Sequence, residues 1–267
     1  MSLSLLQLSL GGVSGGLVGF TLGLVGGGGS ILAVPLMLYL VGIKNPHIAI
    51  GTSALAVAAN AATGLFNHHR AGTVRWRCGG MFAVSGVVGA IFGSSAGKAF
   101  DGQKLLFLFA LLMIAVGILM LRGRRNTGND AAECQRQNAP KVLAMGLGTG
   151  LFSGFFGIGG GFLIVPGLLV STGMPVLNAI GTSLIAVTAF GLTTAANYAL
   201  SGLVDWPLAV IFILGGFLGS FFGMRTARLL SGTAGRLNTV FAGLIFAVAA
   251  YMLYRSAAAL GFSLSGL

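Results

Sequence analysis

The chain carries the stretch GLVGGGGSILAVPLML at residues 23–38 and a second version of it, GFFGIGGGFLIVPGLL, at residues 154–169. Both place a run of glycines inside a long apolar segment. Each consecutive glycine costs a helix roughly 1 kcal/mol relative to alanine, so the glycines predict a break. The 12 residues that follow the first break, 30–41, give only about 18 Å of helix, well short of the roughly 30 Å hydrocarbon core of a bilayer. We therefore interpret each stretch as a helical hairpin with the glycines at its tip.

The composition places these hairpins in a membrane. Of 267 residues, 55% are hydrophobic and only 7% are charged, with 15 Lys+Arg against 4 Asp+Glu. A soluble domain carries roughly 25% charged residues, so a soluble enzyme, a disordered protein and a coiled coil are excluded. The long apolar runs do not alternate with period two, which excludes an outer-membrane barrel. The class that remains is an all-α polytopic membrane protein.

The chain is an internal duplication. The AIGTS at residues 49–53 recurs at residues 179–183, and the glycines of the two hairpins align in the same way. Four further positions, Asn67, Gly72, Val74 and Trp76, recur as Asn197, Gly202, Val204 and Trp206. The predicted domains are a first membrane repeat over 1–121, a basic cytoplasmic linker over 122–141 and a second membrane repeat over 142–267. Such duplications are a signature of transporter folds.

The hairpins decide how the repeats are oriented. A hairpin returns to its own side, and three further spans per repeat then give the two repeats opposite orientations. One side collects 11 basic residues, namely Arg70, Arg75, Arg77, Arg122, Arg124, Arg125, Arg136, Lys141, Arg225, Arg228 and Arg236. The other side collects 4, namely Lys44, Lys98, Lys104 and Arg255. A plain eight-span arrangement with same-way repeats splits these charges 9 to 6, a weaker positive-inside signal. We therefore predict two inverted-topology repeats, each a glycine-broken helical hairpin followed by three transmembrane helices, with both termini outside the cytoplasm.

The glycine tips are the first candidate site. A helix is predicted to begin after each tip, at Ser30 and at Gly161. Helix N-termini offer unpaired N–H groups and a partial positive charge, and glycine lets a ligand approach the backbone, so an anion site is expected. The alternative is close helix packing by small residues, which we prefer for the glycines inside full spans (Gly86, Gly89, Gly93, Gly216, Gly219 and Gly223). The candidate tip residues are Gly26, Gly27, Gly28, Gly29, Ser30, Gly157, Gly159, Gly160 and Gly161.

Two further groups extend this hypothesis. The Gly-Thr-Ser triplets begin the next helix of each repeat, so the hydroxyls of Thr52, Ser53, Thr182 and Ser183 are candidate ligands. The alternative is bonding back to carbonyls of their own helix. A basic cytoplasmic mouth that attracts anions is expected from Asn67, His68, Arg70 and the equivalent Asn197. The alternative there is an ordinary positive-inside loop.

Several kinds of chemistry have no support in the sequence. The four acidic residues, Asp101, Asp130, Glu133 and Asp205, all fall in links or at span ends, whereas cation carriers usually hold a carboxylate inside the membrane. The histidines and the two cysteines show no metal-ligand spacing, and the cysteines indicate no disulfide framework. No hydrolase or nucleotide-binding motif is present. We expect no enzyme, cofactor, metal or nucleic-acid partner, and attribute the net charge of +11 to the positive-inside rule.

The sequence resembles the TauE/SafE family of sulfite and organosulfur exporters over residues 15–255. The resemblance rests on the two glycine-rich stretches quoted above, with the NAIGTS at 178–183 and the IAIGTS at 48–53 that follow them. It implies a multi-pass permease of the bacterial inner membrane for small sulfur-containing anions such as sulfite, sulfonates or sulfoacetate. An anion channel and a non-transporting membrane subunit remain alternatives. The exact substrate, the coupling ion and the oligomeric state stay open at this point.

Overall fold

A computed structural model describes residues 4–122, 138–157, 161–229 and 234–259, and these residues are helical apart from short loops. The α-helices are α1 Leu5–Val25, α2 Ala33–Pro35, α3 Pro46–Arg70, α4 Trp76–Ala99, α5 Gly102–Arg122, α6 Ala139–Phe156, α7 Gly161–Thr172, α8 Val176–Ala199, α9 Trp206–Leu229 and α10 Ala234–Ala259. A 3₁₀ segment, Gly26–Leu32, precedes α2, and a π-helical segment, Leu36–Leu40, follows it.

Five of these helices are long and apolar enough to cross a membrane. They contain the spans Leu5–Gly23, Pro46–Arg70, Trp76–Ala99, Val176–Ala199 and Trp206–Gly223. Four shorter apolar helices accompany them, namely Gly29–Leu40, Gly102–Ile118, Gly161–Thr172 and Ala242–Ala258. The prediction of an all-α polytopic membrane protein is confirmed. Each glycine tip is followed by one of the short helices, as the hairpin interpretation expects.

The two tips differ in local structure. In the second repeat, Gly157 ends α6 with φ 67° and donates its N–H to Ser153 O at 2.9 Å, and the 12-residue α7 begins at Gly161 as predicted. In the first repeat no α-helix begins at Ser30. The chain there runs as 3₁₀ helix through Gly26–Leu32. Four successive glycines have little α-helical propensity and no Cβ atoms to pack, so a tighter turn replaces the expected start.

The loops of the two repeats adopt the same conformation. Gly72 and Gly202 have φ 70° and 69°, a left-handed conformation that favours glycine. Gly72 donates its N–H to His69 O at 3.0 Å, and Gly202 donates to Ala199 O at 2.9 Å. The duplication read from the sequence therefore recurs in the backbone.

Glycines bring helices of opposite repeats into backbone contact. Gly19 of α1 lies directly against the carbonyl of Gly216 in α9, and Gly150 of α6 lies against the carbonyl of Gly86 in α4. Further contacts of the same kind join Gly89 to Leu147, Gly93 to Leu151, Gly219 to Gly16 and Gly223 to Phe20. The packing interpretation of the mid-span glycines is thus correct. Each repeat contributes its first helix to a pair with the other repeat.

The equivalent helices α3 and α8 pack against each other in opposite directions. Gly51, near the start of α3, faces Tyr198 at the end of α8, whereas Gly64, late in α3, faces Leu184 early in α8. Repeats with the same orientation would run these two helices in parallel. The antiparallel crossing is the arrangement that inverted repeats require.

The basic residues gather accordingly at two ends of the bundle. Arg70 at the end of α3 and Arg225 late in α9 line one cavity. Lys44 before α3 and Arg255 late in α10 line another. Arg70 and Arg225, one from each repeat, thus lie at the same end of the bundle.

One expectation about cysteine is wrong. Cys78, in the first turn of α4, is 2% exposed and disulfide-bonded. The other cysteine of the sequence, Cys134, lies outside the described residues. Two isolated cysteines give no spacing signal from which a cross-link is predicted.

Glycine packing between α4 and α6 gives a matched pair of variants on one helix. A Cβ atom at Gly150 would overlap the backbone of Gly86, whereas one at Gly148 would meet nothing within 4 Å. We expect Gly150→Ala to destabilise the protein by about 1–3 kcal/mol through overpacking. Gly148→Ala should be neutral or stabilising by about 0.4–1 kcal/mol. Thermal unfolding of the purified proteins in detergent measures both, and equal melting temperatures would contradict the packing.

Candidate functional site

A cavity of about 950 Å³ opens between the C-terminal halves of α3 and α9. The guanidinium of Arg70 lies 4.6 Å from the centroid of the Phe66 ring, and that of Arg225 lies 5.3 Å from the centroid of Phe221. Cation–π contacts of this kind hold a cation in place without neutralising it. The polar lining residues are Thr63, Asn67, Arg70, Ser220 and Arg225. None of the described residues that line it is acidic, so the cavity is electropositive. We call it the arginine cavity.

The structure places two of the predicted mouth residues, Asn67 and Arg70, in this cavity. Sequence reasoning missed Arg225 as their neighbour. The hairpin topology had put Arg225 on the same side of the membrane as Arg70, but the pairing of α3 with α9 is a long-range contact that no local pattern predicts.

His68, the third predicted mouth residue on α3, does not line this cavity but a small neighbouring space with Asn60 and Ser220, and it has a defined hydrogen-bond pattern. The Thr73 hydroxyl donates to the backbone carbonyl of His68 at 3.1 Å. Its single proton is thereby used, so His68 Nδ1 donates to Thr73 Oγ1 at 2.8 Å, and in the neutral ring Nε2 is the acceptor. The loop that follows α3 is fixed to the helix by these two bonds.

Asn197 does not belong to the same mouth. Its amide donates to Ser94 Oγ at 2.6 Å and to Ser95 Oγ at 3.0 Å, and it accepts from Lys98 Nζ at 2.7 Å. It therefore ties the end of α8 to the end of α4. Because α3 and α8 are antiparallel, equivalent positions lie at opposite ends of the pair, and the grouping of Asn197 with Asn67 is corrected.

Two of the tip glycines, Gly29 and Gly157, are tightly packed. A Cβ atom at Gly29 would overlap the backbone of Thr21 and Leu22, and one at Gly157 would overlap the side chain of Ile50. Ser30 is fully buried. Gly26, Gly27 and Gly28 lie in the 3₁₀ segment, and Gly161 is the first residue of α7. Gly159 and Gly160 lie outside the described residues.

The Gly-Thr-Ser hydroxyls have partners within the protein. Thr52 Oγ1 accepts from the backbone N–H of Asp205 at 3.0 Å, and Thr182 Oγ1 accepts from that of Arg75 at 2.9 Å. Each of these bonds joins one repeat to the loop before α9 or α4 of the other repeat. We call this symmetric pair the threonine latches.

The neighbouring serines behave as the alternative interpretation expected. Ser53 donates to Ile50 O at 3.0 Å and Ser183 donates to Ile180 O at 2.7 Å. These are bonds to carbonyls of the same helix.

Sequence reasoning missed the threonine latches. The sequence did contain one indication of them: both the Gly-Thr-Ser triplet and the loop before Trp76 recur in the second repeat, where the loop precedes Trp206.

The acidic residues that the structure describes cap helices. Asp205 Oδ1 accepts from Leu208 N–H at 3.1 Å, and Asp101 Oδ1 accepts from the N–H groups of Gln103 and Lys104 at 3.0 Å each. In the described ranges, no group of three or more His, Cys, Asp or Glu side chains is placed to hold a metal ion.

These features define a class: a multi-pass helical membrane protein with duplicated halves and an electropositive cavity at one end. A comparison with family models then names the family. The model of the sulfite exporter TauE/SafE family matches residues 12–252, and the chain belongs to that family.

Relatives in distant organisms carry names that agree with membership of a transporter family. A "Probable membrane transporter protein" of Xylella fastidiosa (strain 9a5c) is 55% identical over 92% of this chain and 95% of its own length. "Probable membrane transporter protein YdhB" of Bacillus subtilis (strain 168) is 26% identical over 80% of this chain and 88% of its own. No solved structure matches the chain. The family and the names of these relatives indicate a membrane transporter rather than an enzyme.

The threonine latches predict a stability difference between neighbouring hydroxyls. Thr52→Val keeps the side-chain shape but leaves the Asp205 N–H without its acceptor, which costs about 1–3 kcal/mol for a buried group. Ser53→Ala removes only a bond within the helix and serves as the matched control. We expect a lower melting temperature for Thr52→Val than for Ser53→Ala in detergent. The reverse order would show that the latch contributes nothing.

Proposed function

We propose that this TauE/SafE family membrane transporter exports small sulfur-containing anions, such as sulfite, sulfonates or sulfoacetate, across the inner membrane. The arginine cavity carries the proposal. Two guanidinium groups, Arg70 and Arg225, face one space whose described lining holds no carboxylate. Such a cavity concentrates anions and repels cations. The printed description of the family, a sulfite exporter, supports the choice of sulfur-containing anions.

The proposal includes inverted repeats. The antiparallel crossing of α3 and α8 and the shared cavity of Arg70 and Arg225 support it. By the positive-inside rule the end that carries these arginines faces the cytoplasm. The opposite end, with Lys44 and Lys98, then faces the outside. The arginine cavity is thus the cytoplasmic entrance for an exported anion.

The proposed binding site lies between the glycine-rich tips of the two hairpins. The first-turn N–H groups of α7 lack carbonyl partners within that helix and bear its partial positive charge. The 3₁₀ segment Gly26–Leu32 of the other hairpin contacts α7. An anion held between them would bind backbone N–H groups from both repeats. The threonine latches join the two repeats through Thr52 and Thr182 and so support the site indirectly.

Membrane voltage is the proposed driving force. Both acidic residues in the described part of the chain are helix caps, so neither carries a coupling proton or sodium ion inside a span. An anion that leaves a cell with a negative interior gains about 2.3 kcal/mol per charge per 100 mV. Since each 1.4 kcal/mol is tenfold, this sustains an outward gradient of roughly fortyfold for a monoanion.

Labelling at equivalent loops tests the orientation of the repeats. Ala71, after α3, and Leu200, after α8, are both exposed. With Cys78 and Cys134 replaced by alanine, we expect a membrane-impermeant thiol reagent to label Leu200→Cys in intact cells. It should label Ala71→Cys only after permeabilisation. Same-way repeats would make the two positions respond alike, and that result would overturn the inverted arrangement.

Flux in proteoliposomes tests the function. Vesicles loaded with radiolabelled sulfite or methanesulfonate should release it when a potassium–valinomycin potential makes the interior negative, at symmetric pH and without sodium. The rate of release should saturate as the internal anion concentration rises, because a transporter binds its substrate. Release through a channel should instead keep rising with the internal anion concentration. Flux that ignores voltage and follows an imposed pH or sodium gradient would contradict voltage-driven export.

Two arginines at the same end of the bundle give this assay a test variant and a matched control. Arg225 lines the arginine cavity, whereas Arg77 is exposed outside it. Arg225→Gln should raise the KM for internal sulfite and weaken its dependence on salt, because the local anion concentration falls. Arg77→Gln should leave KM close to that of the wild type. Equal effects of the two changes would remove the cavity from the pathway.

A further inference from the structure

Asn60 lies near the middle of a helix long and apolar enough to span a membrane, and its side chain has no hydrogen-bond partner among the described residues. It lies near the centre of the 25-residue α3 and is 3% exposed. Neither Oδ1 nor Nδ2 has a hydrogen-bond partner among the described residues. A buried amide without partners is unfavourable in a protein interior, and polar groups retained inside membrane spans usually mark a substrate or ion pathway.

The amide borders a small chamber. The chamber measures about 20 Å³ and lies where α3 meets α1, α8 and α9, with Gly23, His68, Leu184 and Ser220 around it. A space of this size holds about one water molecule. We call it the Asn60 chamber. Its polar lining side chains are those of Asn60, Ser220 and His68.

The Asn60 chamber adjoins the inner end of the arginine cavity. Ser220 of α9 lines both spaces. On α3, Thr63 lines the cavity and lies one helical turn from Asn60. The Asn60 chamber and the arginine cavity are therefore neighbours that share Ser220.

The other repeat closes the equivalent position. The residue equivalent to Asn60 is Phe190, at an offset of 130. Its ring is fully buried, lies against Gly86 and packs on Phe82 with 6.3 Å between ring centroids. In the same way the Asn60 amide lies against Gly216, the equivalent of Gly86. The space beside Gly86 is thus filled by a phenyl ring, whereas the equivalent space beside Gly216 is filled by an amide whose hydrogen-bonding atoms have no partner among the described residues.

We propose that Asn60 binds the transported anion at the closed inner end of the arginine cavity. The inference rests on the proposed function and names a specific side chain for it. The Nδ2 group donates to an anion oxygen, and the hydroxyl of Ser220 is placed to donate a second bond. A hydrogensulfite ion carries a proton as well as acceptor oxygens, so it satisfies Oδ1 at the same time.

The chamber must widen to admit such an anion. Gly216 and Ser220 belong to α9, which is joined to α1 by backbone contacts such as that between Gly19 and Gly216. In the proposed widening, α1 and α9 stay together because of these contacts, and the gap opens between α9 and α3. Widening between α3 and α9 exposes the amide to the arginine cavity, while the Phe190 side stays closed.

The test compares Asn60→Leu with Phe190→Leu in the same proteoliposomes. Leucine is close to asparagine in size and removes both unpartnered polar atoms, so we expect a melting temperature equal to or above that of the wild type. The KM for sulfite should nevertheless rise tenfold or more, equivalent to 1.4 kcal/mol. Phe190→Leu should leave KM within about threefold of the wild type. An unchanged KM in Asn60→Leu would overturn the proposal.

A binding measurement separates this proposal from the proposed function. Sulfite should raise the melting temperature of the wild type in detergent and should not raise that of Asn60→Leu. If the wild type neither binds nor transports sulfite or methanesulfonate, the proposed function fails whatever Asn60 does. If Asn60→Leu does not fold, Asn60→Asp and Asn60→Gln replace it. The carboxylate should abolish sulfite flux and the longer amide should retain part of it, and equal flux in these two variants would count against an anion contact at Asn60.

Discussion

Backbone contact between glycines and carbonyls of the opposite repeat is the constraint on which this structure depends. In a bilayer, helices are not driven together by a hydrophobic effect, so they associate through close packing. Gly19 against Gly216 and Gly150 against Gly86 allow the axes to approach until backbone touches backbone. Since α1 pairs with α9 and α6 with α4, neither repeat completes its own packing. The two halves therefore pack against each other through both pairs.

Within this frame the two repeats are alike in backbone and unlike in chemistry. The loops with Gly72 and Gly202 and the threonine latches recur almost unchanged. At the equivalent positions 60 and 190, one repeat has asparagine and the other phenylalanine. Duplication supplies the symmetric scaffold, and this substitution gives one of two equivalent buried sites a polar side chain and the other an aromatic ring. Ser220 lines both the arginine cavity and the chamber at the polar site.

The tip glycines have at least one structural reason to be glycine. Gly29 touches the backbone of α1, and Gly157 adopts a left-handed conformation against Ile50. A role in anion binding therefore adds to a packing role that these residues already have. Thr52 and Thr182 are similar, because their hydroxyls already accept bonds from backbone N–H groups. Asn60 is different: its amide has no described partner within the protein, which is why it carries a sharper inference than the motifs do.

The sequence by itself determined the membrane class, the duplication, the hairpins and the family, because each depends on composition or on local spacing along the chain. It also predicted that Asn67 and Arg70 lie at a basic entrance. Only the tertiary structure decided which helices meet. It places Arg225 in one cavity with Arg70 and puts Asn197 at the opposite end of the bundle. It also shows that the Thr52 and Thr182 hydroxyls form the threonine latches, whereas the neighbouring serines bond to their own helices. Asn60 gave no signal in the sequence, because a single polar residue in a span is recognised as unpartnered only when its neighbours on α1, α8 and α9 are known.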